Sequence, residues 1–411
     1  MKKYQTILIL TLWGALALWA WFIPSKQISE AERRPLAQKP VFSEKFQTEF
    51  ESYSLDQFPL RDGLRTLKSL FHTLVLGQED NNGIYLTNGI AVKQEYPLNT
   101  DSVHHAIGRF QTIYDKYLAE SRCFYAIVPD KGYYLAEESG HLAMDYGDLY
   151  AQVSAGMPWA QEIDLRSTLV GQDYYRTDTH WRQEALIPAA AALCEGLGVT
   201  PPKAEDFTIT PVERPFYGVY YGQAALPMEP DTLYLMENDL LSQCSVYDYE
   251  TGKTGSVYDL TKLDSRDLYD MYLSGAKALL TIENPNAKTE RELVIFRDSF
   301  GSSMAPLLLA DYAKVTLADI RYVQPDMLGQ FLDFHGGSFR CATKSGCPIV
   351  PIALVDCFKV LDQPGSKPVS VQIHYLNPIT AEEYAGMKPA EVAELVKARI
   401  QEKLDECLAE K

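Results

Sequence analysis

The chain has 411 residues, of which 46% are hydrophobic and 23% are charged, and its 55 acidic against 38 basic residues give a formal net charge of −17. A chain of this length and composition can bury a large core and predicts two or more structural units. The acidic balance argues against nucleic acid as a partner, because binding to phosphate backbones requires a concentrated basic surface. The composition is not that of a disordered or collagen-like chain, and no repeat of fixed period is present.

The N-terminus carries a long apolar segment. Residues 4–23 have no charge and are followed by Pro24, and about 20 helical residues span the roughly 30 Å of a bilayer core. Residues 15–17 (ALA) resemble a signal-peptide cleavage site, but the apolar run continues beyond them, which favours an uncleaved anchor. Because Lys2 and Lys3 precede the run, we predict a single-pass cell-membrane protein whose remaining residues are extracytoplasmic.

Apolar spacing predicts local structure as far as residue 120. Aromatic and leucine side chains recur at three- and four-residue steps on both sides of Phe58-Pro59, which predicts two amphipathic helices. Asn81-Asn82-Gly83 and Asn88-Gly89 bracket a short hairpin-like element at residues 84–86. A further helix is predicted over residues 103–120.

The next part of the chain alternates apolar strands with segments of helix length, which predicts a parallel α/β sheet. The predicted strands are residues 123–128, 293–296 and 314–320. Ligands bind outside the carboxyl ends of such strands. Asp130-Lys131, Ser299 and Arg321 follow the three strands and are therefore candidate site residues.

Nine tyrosines lie between Tyr217 and Tyr272, within a segment rich in turn residues that spans residues 203–290. One interpretation is an aromatic surface for sugar rings. The other is an ordinary insertion that packs its tyrosines at its edges.

Seven cysteines lie at irregular spacings: Cys123, Cys194, Cys244, Cys341, Cys347, Cys357 and Cys407. An odd number without framework spacing is not typical of a disulfide scaffold, so we interpret most of them as buried small hydrophobes. The sequence contains neither a CxxC pair nor an HExxH motif, and we predict no metal and no cofactor.

Asp178 and His180 are candidates for acid–base chemistry. In an extended backbone, residues two apart face the same side, so Asp178 can orient His180 and hold its tautomer, the support that a general base needs. The alternative is that both residues belong to an ordinary polar turn.

Ser299 supplies a candidate nucleophile. It follows an apolar strand and precedes a helix predicted to reach Tyr312, so the amides of Ser299, Phe300 or Gly301 are candidates to stabilise an oxyanion. The alternative is that Asp298 or Ser299 only caps this helix. The combination of both motifs within one α/β domain favours a catalytic geometry.

These motifs resemble the DHHW family of Gram-positive bacteria, which is related to SGNH-hydrolase-like proteins that O-acetylate exported polysaccharides. The resemblance covers residues 26–325 and rests on these runs: Thr177-Asp178-Thr179-His180-Trp181, Phe296-Arg297-Asp298-Ser299-Phe300-Gly301, Glu32-Arg33-Arg34-Pro35-Leu36, Pro129-Asp130-Lys131, Phe216-Tyr217-Gly218 and Asp319-Ile320-Arg321-Tyr322. The second histidine of the family motif is Thr179 here, which leaves the triad positions intact.

The resemblance implies an SGNH-like parallel-sheet domain with Asp178, His180 and Ser299 as a catalytic triad and Arg321 as a substrate-binding residue. It implies a cell-envelope polysaccharide as substrate and a membrane protein as acyl donor. A surface arginine paired with Asp319 is the alternative for Arg321. If Arg321 binds substrate, Arg321→Ala should lower ester turnover without unfolding the domain, whereas unchanged turnover removes the role.

Residues 326–408 resemble the C-terminal third of bacterial 1-acylglycerol-3-phosphate acyltransferases. The runs that carry this resemblance are residues 334–342 (FHGGSFRCA) and 345–354 (SGCPIVPIAL), followed by a strand at 369–375 and a helix at 390–408. None of the seven histidines is followed five positions later by the aspartate of that family's motif, and its EGTR run is also absent. We therefore predict that this fragment is not catalytic.

The sequence thus predicts a chimera of three parts: an anchor at residues 1–25, a DHHW/SGNH-like domain at 26–325 and a truncated acyltransferase-like fragment at 326–411. We favour an assembly artefact or a decayed recombinant over a natural fusion. The two fragment strands, residues 348–355 and 369–375, are expected either to pair with each other or to dock on the preceding sheet, with proteolysis near residues 324–337. The functional hypotheses are an SGNH-like O-acyltransferase or esterase, a non-catalytic envelope scaffold and a lipid acyltransferase.

Overall fold

The computed structural model describes residues 2–29, 31–319, 321–323, 345–355 and 372–409. The chain divides into two compact units. The first unit comprises Met1–Arg109 and Arg122–Asp319, and the second comprises Phe110–Ser121 and Ile320–Lys411.

Within the described residues, the α-helices are α1 (Lys2–Phe22), α2 (Phe46–Asp56), α3 (Arg61–Leu70), α4 (Thr100–Ile113), α5 (Lys131–Ser139), α6 (Tyr146–Gly156), α7 (Ile187–Leu197), α8 (Val219–Ala224), α9 (Asp239–Gln243), α10 (Gly301–Met304) and α11 (Pro389–Ala409). The strands are β1 (Ile28–Ser29), β2 (Arg34–Pro35), β3 (Ile84–Thr87), β4 (Ile90–Lys93), β5 (Cys123–Tyr125), β6 (Ala160–Glu162), β7 (Thr208–Phe216), β8 (Asp231–Glu237), β9 (Ser245–Asp248), β10 (Lys253–Gly255), β11 (Leu279–Glu283), β12 (Glu292–Phe296), β13 (Lys314–Ala318), β14 (Ile352–Val355) and β15 (Gln372–Tyr375).

Helix α1 forms at the position of the predicted membrane anchor. Among the helices that the structure describes, none has both the length and the apolar character needed to cross a membrane. The membrane helix is therefore not supported by the structure and stays a prediction.

The local predictions for the region before residue 120 agree with the structure. Helices α2 and α3 lie on the two sides of Phe58-Pro59, and β3 pairs with β4 in an antiparallel hairpin. The hairpin turn uses Asn88 (φ 50°) and Gly89 (φ 77°), because a two-residue turn that matches the twist of its strands requires positive φ at both positions. The third predicted helix, at residues 103–120, is α4 continued by a π-helical turn, Tyr114–Leu118.

The central sheet has five strands in the order β10-β9-β11-β13-β12 and is mixed rather than parallel. Within this sheet, β12 and β13 run parallel, whereas β11 is antiparallel to both β13 and β9. The prediction of a parallel sheet was wrong because it lacked β9, β10 and β11. These three strands lie in the tyrosine-rich segment, where no strand was predicted, and they add the antiparallel pairs. The first predicted strand is shorter, β5, and pairs in parallel with β6 in a separate two-stranded sheet.

Two apolar clusters pack on this framework. One joins α7 to Trp181 and to residues around α10, and the other covers inward-facing side chains of β9, β11 and β13. Full burial of one large apolar side chain contributes roughly 1.5–3 kcal/mol, so these clusters hold the carboxyl ends of β12 and β13 in fixed positions.

Cysteine burial agrees in part with the interpretation as small hydrophobes. Cys194, Cys244 and Cys407 are buried, Cys123 is half-buried and Cys347 is exposed. Cys341 and Cys357 lie outside the described residues.

In the second unit, β14 and β15 form an antiparallel two-stranded sheet of their own. This is the first of the two arrangements expected for the fragment strands. Ile379 and Tyr384 form an apolar cluster with Val392 and Val396 of α11. The run at residues 334–342 and the junction at 324–337 lie outside the described residues.

Candidate active site

Asp178 and His180 lie in a closed loop between Tyr174 and Trp181. An isolated β-bridge joins Tyr174 to Trp181, and the Tyr175 amide donates to the His180 carbonyl at 3.0 Å. Both bridging aromatic side chains are buried, which anchors the two ends of the loop. Asp178 and His180 come together through a turn and not through the extended backbone that the sequence argument assumed.

The structure brings Asp178, His180 and Ser299 together. His180 Nε2 lies 2.8 Å from Ser299 Oγ, and His180 Nδ1 lies 2.6 Å from Asp178 Oδ2. Asp178 is buried, at 1% exposure, whereas Ser299 is half-buried. Ser299 therefore keeps part of its surface exposed to solvent, while Asp178 behind the imidazole does not.

The charge state of Asp178 follows from its contacts. Burial by itself raises the pKa of this carboxyl, but the His180 imidazole, through its hydrogen bond and through its charge when protonated, and the Val219 amide together hold the pKa below its usual range. The Val219 amide donates to Asp178 Oδ1 at 2.7 Å. An ionised Asp178 favours the tautomer with the proton on Nδ1, which leaves Nε2 free to accept from Ser299.

Asp231, the first residue of β8, holds the loop before Asp178. Its carboxylate accepts from the amides of Arg176 and Thr177, each at 2.8 Å, and from the Thr177 hydroxyl at 2.5 Å. The Thr177 hydroxyl in turn accepts from the Gly218 amide at 2.8 Å. This buried network orients the loop that carries Asp178, and no local pattern points to Asp231 because it lies 53 positions after Asp178.

Gly218 allows the backbone of the segment before α8 to pass directly against Asp178. A Cβ at this position would lie 2.0 Å from Asp178 Cβ and 2.3 Å from Asp178 Cα. Phe216-Tyr217-Gly218 was noted only as part of a resemblance, so the role of this glycine is a finding of the structure.

Gly218→Ala is expected to destabilise the fold by about 1–3 kcal/mol, the usual cost of overpacking, and to lower any turnover, because the added methyl pushes Asp178 away from His180. Urea unfolding and ester hydrolysis measure the two effects. Gly255→Ala is the matched control, since nothing lies within 4 Å of its added Cβ. Equal stability and activity of the two variants would show that the loop tolerates the methyl group.

Aromatic rings enclose His180. The Tyr269 ring stacks on the imidazole with 3.9 Å between centroids and an interplanar angle of 12°, and Phe300 lies at 4.8 Å. The Tyr269 hydroxyl lies 2.8 Å from Ser303 Oγ, which also accepts from Trp181 Nε1 at 2.9 Å. These contacts restrict the rotation of the imidazole.

The tyrosine-rich segment serves both packing and surface. Tyr220, Tyr269 and Tyr272 are buried, whereas Tyr217 and Tyr249 are exposed. The segment therefore packs some of its tyrosines into the core and leaves others at the surface, and an aromatic surface for sugar rings stays a hypothesis.

The turn around Ser299 differs from its prediction. Helix α10 begins at Gly301 and ends at Met304, followed by a 3₁₀ turn, so no long helix reaches Tyr312. The Phe300 amide donates to Asp298 Oδ1 at 2.9 Å, and the Gly301 amide donates to the Asp298 carbonyl at 3.2 Å. Two of the three candidate oxyanion donors are thus already bonded to Asp298, which leaves the Ser299 amide as the remaining candidate.

Arg321 lies in the second unit and is exposed, with its guanidinium carbon 5.3 Å from the centroid of the Tyr322 ring. Its role in substrate binding stays a prediction. Within the described residues, no group of three or more histidine, cysteine or acidic side chains is arranged to hold a metal ion.

The fold and site define a mixed α/β domain that carries a hydrogen-bonded serine, histidine and aspartate. Residues 144–318, less than half of the chain, match the family model described as DHHW protein. This range contains Asp178, His180 and Ser299. None of the curated proteins matches the sequence.

One solved structure shows a similar fold. A DHHW family protein from Eubacterium siraeum is 20% identical with a TM-score of 0.51, and the match covers 61% of this chain and 88% of that protein. Two matches are weaker. Bacillus cereus PatB1 with a sulfonyl adduct is 16% identical with a TM-score of 0.47, and the match covers 61% of this chain and 91% of that protein. The O-acetyltransferase domain of Pseudomonas putida AlgJ is 18% identical with a TM-score of 0.33, and the match covers 56% of this chain and 78% of that one. The acyltransferase-like fragment after residue 325 has no support from these matches and stays a prediction.

Proposed function

We propose that Ser299, His180 and Asp178 act as a catalytic triad for O-acetyl transfer or ester hydrolysis on a cell-envelope polysaccharide. The observation that carries the proposal is the pair of contacts to one imidazole, with Ser299 Oγ at 2.8 Å from Nε2 and Asp178 Oδ2 at 2.6 Å from Nδ1. A nucleophile bonded to a base that a third group orients is the arrangement that covalent acyl transfer requires.

In the first half of the reaction, His180 Nε2 takes the Ser299 hydroxyl proton while Oγ attacks the carbonyl carbon of an acetyl ester. The buried Asp178 carboxylate stabilises the imidazolium that forms. When the tetrahedral intermediate collapses, the bond from the acyl carbon to the leaving oxygen breaks, and His180 returns the proton to that oxygen. The product of this half is an alcohol and an acetyl ester on Ser299.

In the second half, His180 takes a proton from an incoming hydroxyl, whose oxygen attacks the acetyl-Ser299 carbonyl. Breakage of the bond to Oγ, with return of the proton to Ser299, restores the enzyme. If the hydroxyl belongs to a sugar the reaction is transfer, and if it belongs to water the reaction is hydrolysis. The half-buried position of Ser299 is compatible with either acceptor.

The polysaccharide substrate, the acyl-donor partner and the extracytoplasmic location belong to the same proposal. The resemblance of the sequence motifs supports the substrate class, and the uncharged residues 4–23 after two lysines support the location. Fractionation of cells that express the full chain tests the location: recovery in the membrane fraction with protease-accessible epitopes outside is expected, and recovery in the cytoplasm contradicts it.

The test of the activity uses the full chain with a chromogenic acetate ester, with and without an oligosaccharide acceptor. We expect ester cleavage, an acetyl group on Ser299 detected by mass spectrometry after rapid acid quench, and acetylated sugar when the acceptor is present. An absence of both turnover and acetyl-Ser299 would favour a non-catalytic envelope scaffold.

A further inference from the structure

The guanidinium of Arg33 joins two loops that support the candidate triad from different sides. We propose that Arg33 is a positioning residue for Ser299, His180 and Asp178, holding the segment behind Asp178 and the turn beneath His180 in one fixed arrangement. The inference rests on the proposed function, because positioning has a measurable meaning only if the triad reacts.

The first loop contact lies at the segment before α8. Arg33 Nη2 donates to the Tyr217 carbonyl, and its guanidinium carbon lies 5.2 Å from the centroid of the Phe216 ring. The next two residues of this segment contact Asp178: Gly218 packs against it, and the Val219 amide bonds its Oδ1. A shift of Tyr217 would therefore move the groups that hold the carboxylate.

The second contact lies at the turn that carries Tyr269. Arg33 Nη1 lies 2.7 Å from Asp267 Oδ2 in an ion pair. The other carboxylate oxygen, Asp267 Oδ1, accepts from the Tyr269 amide at 3.0 Å, and the Tyr269 ring stacks on His180. Arg33 thus reaches the imidazole through two intervening groups.

The backbone around Arg33 is strained and closely packed. Arg33 has φ 54°, a left-handed conformation that is uncommon for residues other than glycine and that clusters at functional sites. Beside it, the Ala31 carbonyl approaches α8 so closely that a Cβ on Gly222 would lie 1.8 Å away. Glu32 fixes the same segment through ion pairs with Arg61 at 2.6 Å and Arg65 at 3.3 Å.

Electrostatics place Arg33 within range of the site. Burial raises the pKa of Asp178, and the charge of Arg33 is one of the influences that lower it. Burial, and next Asp267, raise the pKa of Asp270 to about 6, whereas Lys262 and then Arg33 and His180 oppose that rise. Arg33 and His180 therefore both lower the pKa of Asp178 and the pKa of Asp270.

Only arginine presents several donors in a rigid planar fork, so one side chain can bond a carbonyl and a carboxylate that belong to different loops. A lysine at this position can keep the ion pair with Asp267 but supplies a point charge without the fork. This difference makes Arg33→Lys an informative conservative variant.

The experiment compares Arg33→Gln and Arg33→Lys with Arg166→Gln in the full chain. Arg166 is the matched control, since its guanidinium bonds the Asp164 carboxylate instead, at 2.7 and 2.8 Å. For Arg33→Gln we expect kcat per folded molecule to fall about 100-fold, the effect of a small misplacement of reacting groups, with KM unchanged. Arg33→Lys should recover part of this loss, and Arg166→Gln should match the wild type.

A second measurement follows the rate at which a sulfonyl fluoride labels Ser299, normalised to the folded fraction from circular dichroism. Positioning through Asp267 is supported if Arg33→Gln is labelled more slowly than the wild type and if the double variant Arg33→Gln/Asp267→Asn is labelled no more slowly than Arg33→Gln. If Arg33→Gln keeps both the labelling rate and the turnover of the wild type, the positioning role of Arg33 is overturned, whereas the proposed function is not affected. Absence of labelling and turnover in the wild type would overturn the proposed function, and this inference with it.

Discussion

Ser299→Ala, His180→Ala and Asp178→Asn are each expected to lose about 10⁴-fold or more in kcat for an acetate ester. Each change removes a different part of one proton path: the nucleophile, the base that contacts it at 2.8 Å, or the carboxylate that orients the base. Because the three groups act as a unit, the triple variant should lose little more than the worst single variant. Steady-state kinetics of the full chain provide the measurement.

Ser242→Ala is the control for the serine variant, since Ser242 lies exposed on α9 and bonds only its own turn through the Asp239 carbonyl. Its turnover should equal that of the wild type. Losses that add up across the three triad variants would show that the residues work independently, and full activity of Ser299→Ala would eliminate Ser299 as the nucleophile.

Lys131→Met is expected to change how stability depends on pH. Lys131 is buried beside the site, with Nζ 2.6 Å from the Ala91 carbonyl and 5.0 Å from the Tyr220 ring centroid. Burial lowers the pKa of Lys131 from 10.5 to about 7, although the charges of Asp178, Asp231 and Asp130 oppose this shift. The unfolded chain therefore binds one more proton than the folded chain between these two values.

Burying the charged amine of Lys131 lowers the free energy of unfolding. This destabilisation is complete below pH 7 and disappears as the pH rises toward 10.5. The wild type should accordingly gain roughly 1 kcal/mol of unfolding free energy per pH unit relative to Lys131→Met in this window. Urea unfolding at several pH values between about 7 and 9 measures the difference. Lys253→Met, at an exposed position in β10, should show the same pH dependence of unfolding free energy as the wild type. If the unfolding free energies of the wild type and Lys131→Met change in parallel with pH, the lowered pKa of Lys131 is contradicted.

Local patterns were sufficient for elements whose structure depends on neighbouring residues. The two helices around Phe58-Pro59 and the hairpin with Asn88-Gly89 agree with the structure. In both cases the periodicity of apolar side chains and the φ values available to turn residues act over a few positions. Such information is present in any short stretch of sequence.

The sheet shows where local patterns failed. Strands β12 and β13 are apolar runs and were predicted, and their parallel pairing is observed. Strands β9, β10 and β11 were not predicted, and they make the sheet mixed by adding antiparallel pairs. Strand pairing depends on partners distant along the chain, and a parallel arrangement cannot be inferred from apolar runs alone.

The sequence by itself determined which residues carry the candidate chemistry, because Asp178, His180 and Ser299 stand in recognisable local motifs next to elements that bury apolar side chains. Only the tertiary structure decided how they are held. Gly218, Asp231, Tyr269 and Arg33 reach the triad from four separate segments. Their contribution depends on distances of a few ångströms between groups that lie tens to hundreds of residues apart, and no local pattern of side chains encodes those distances.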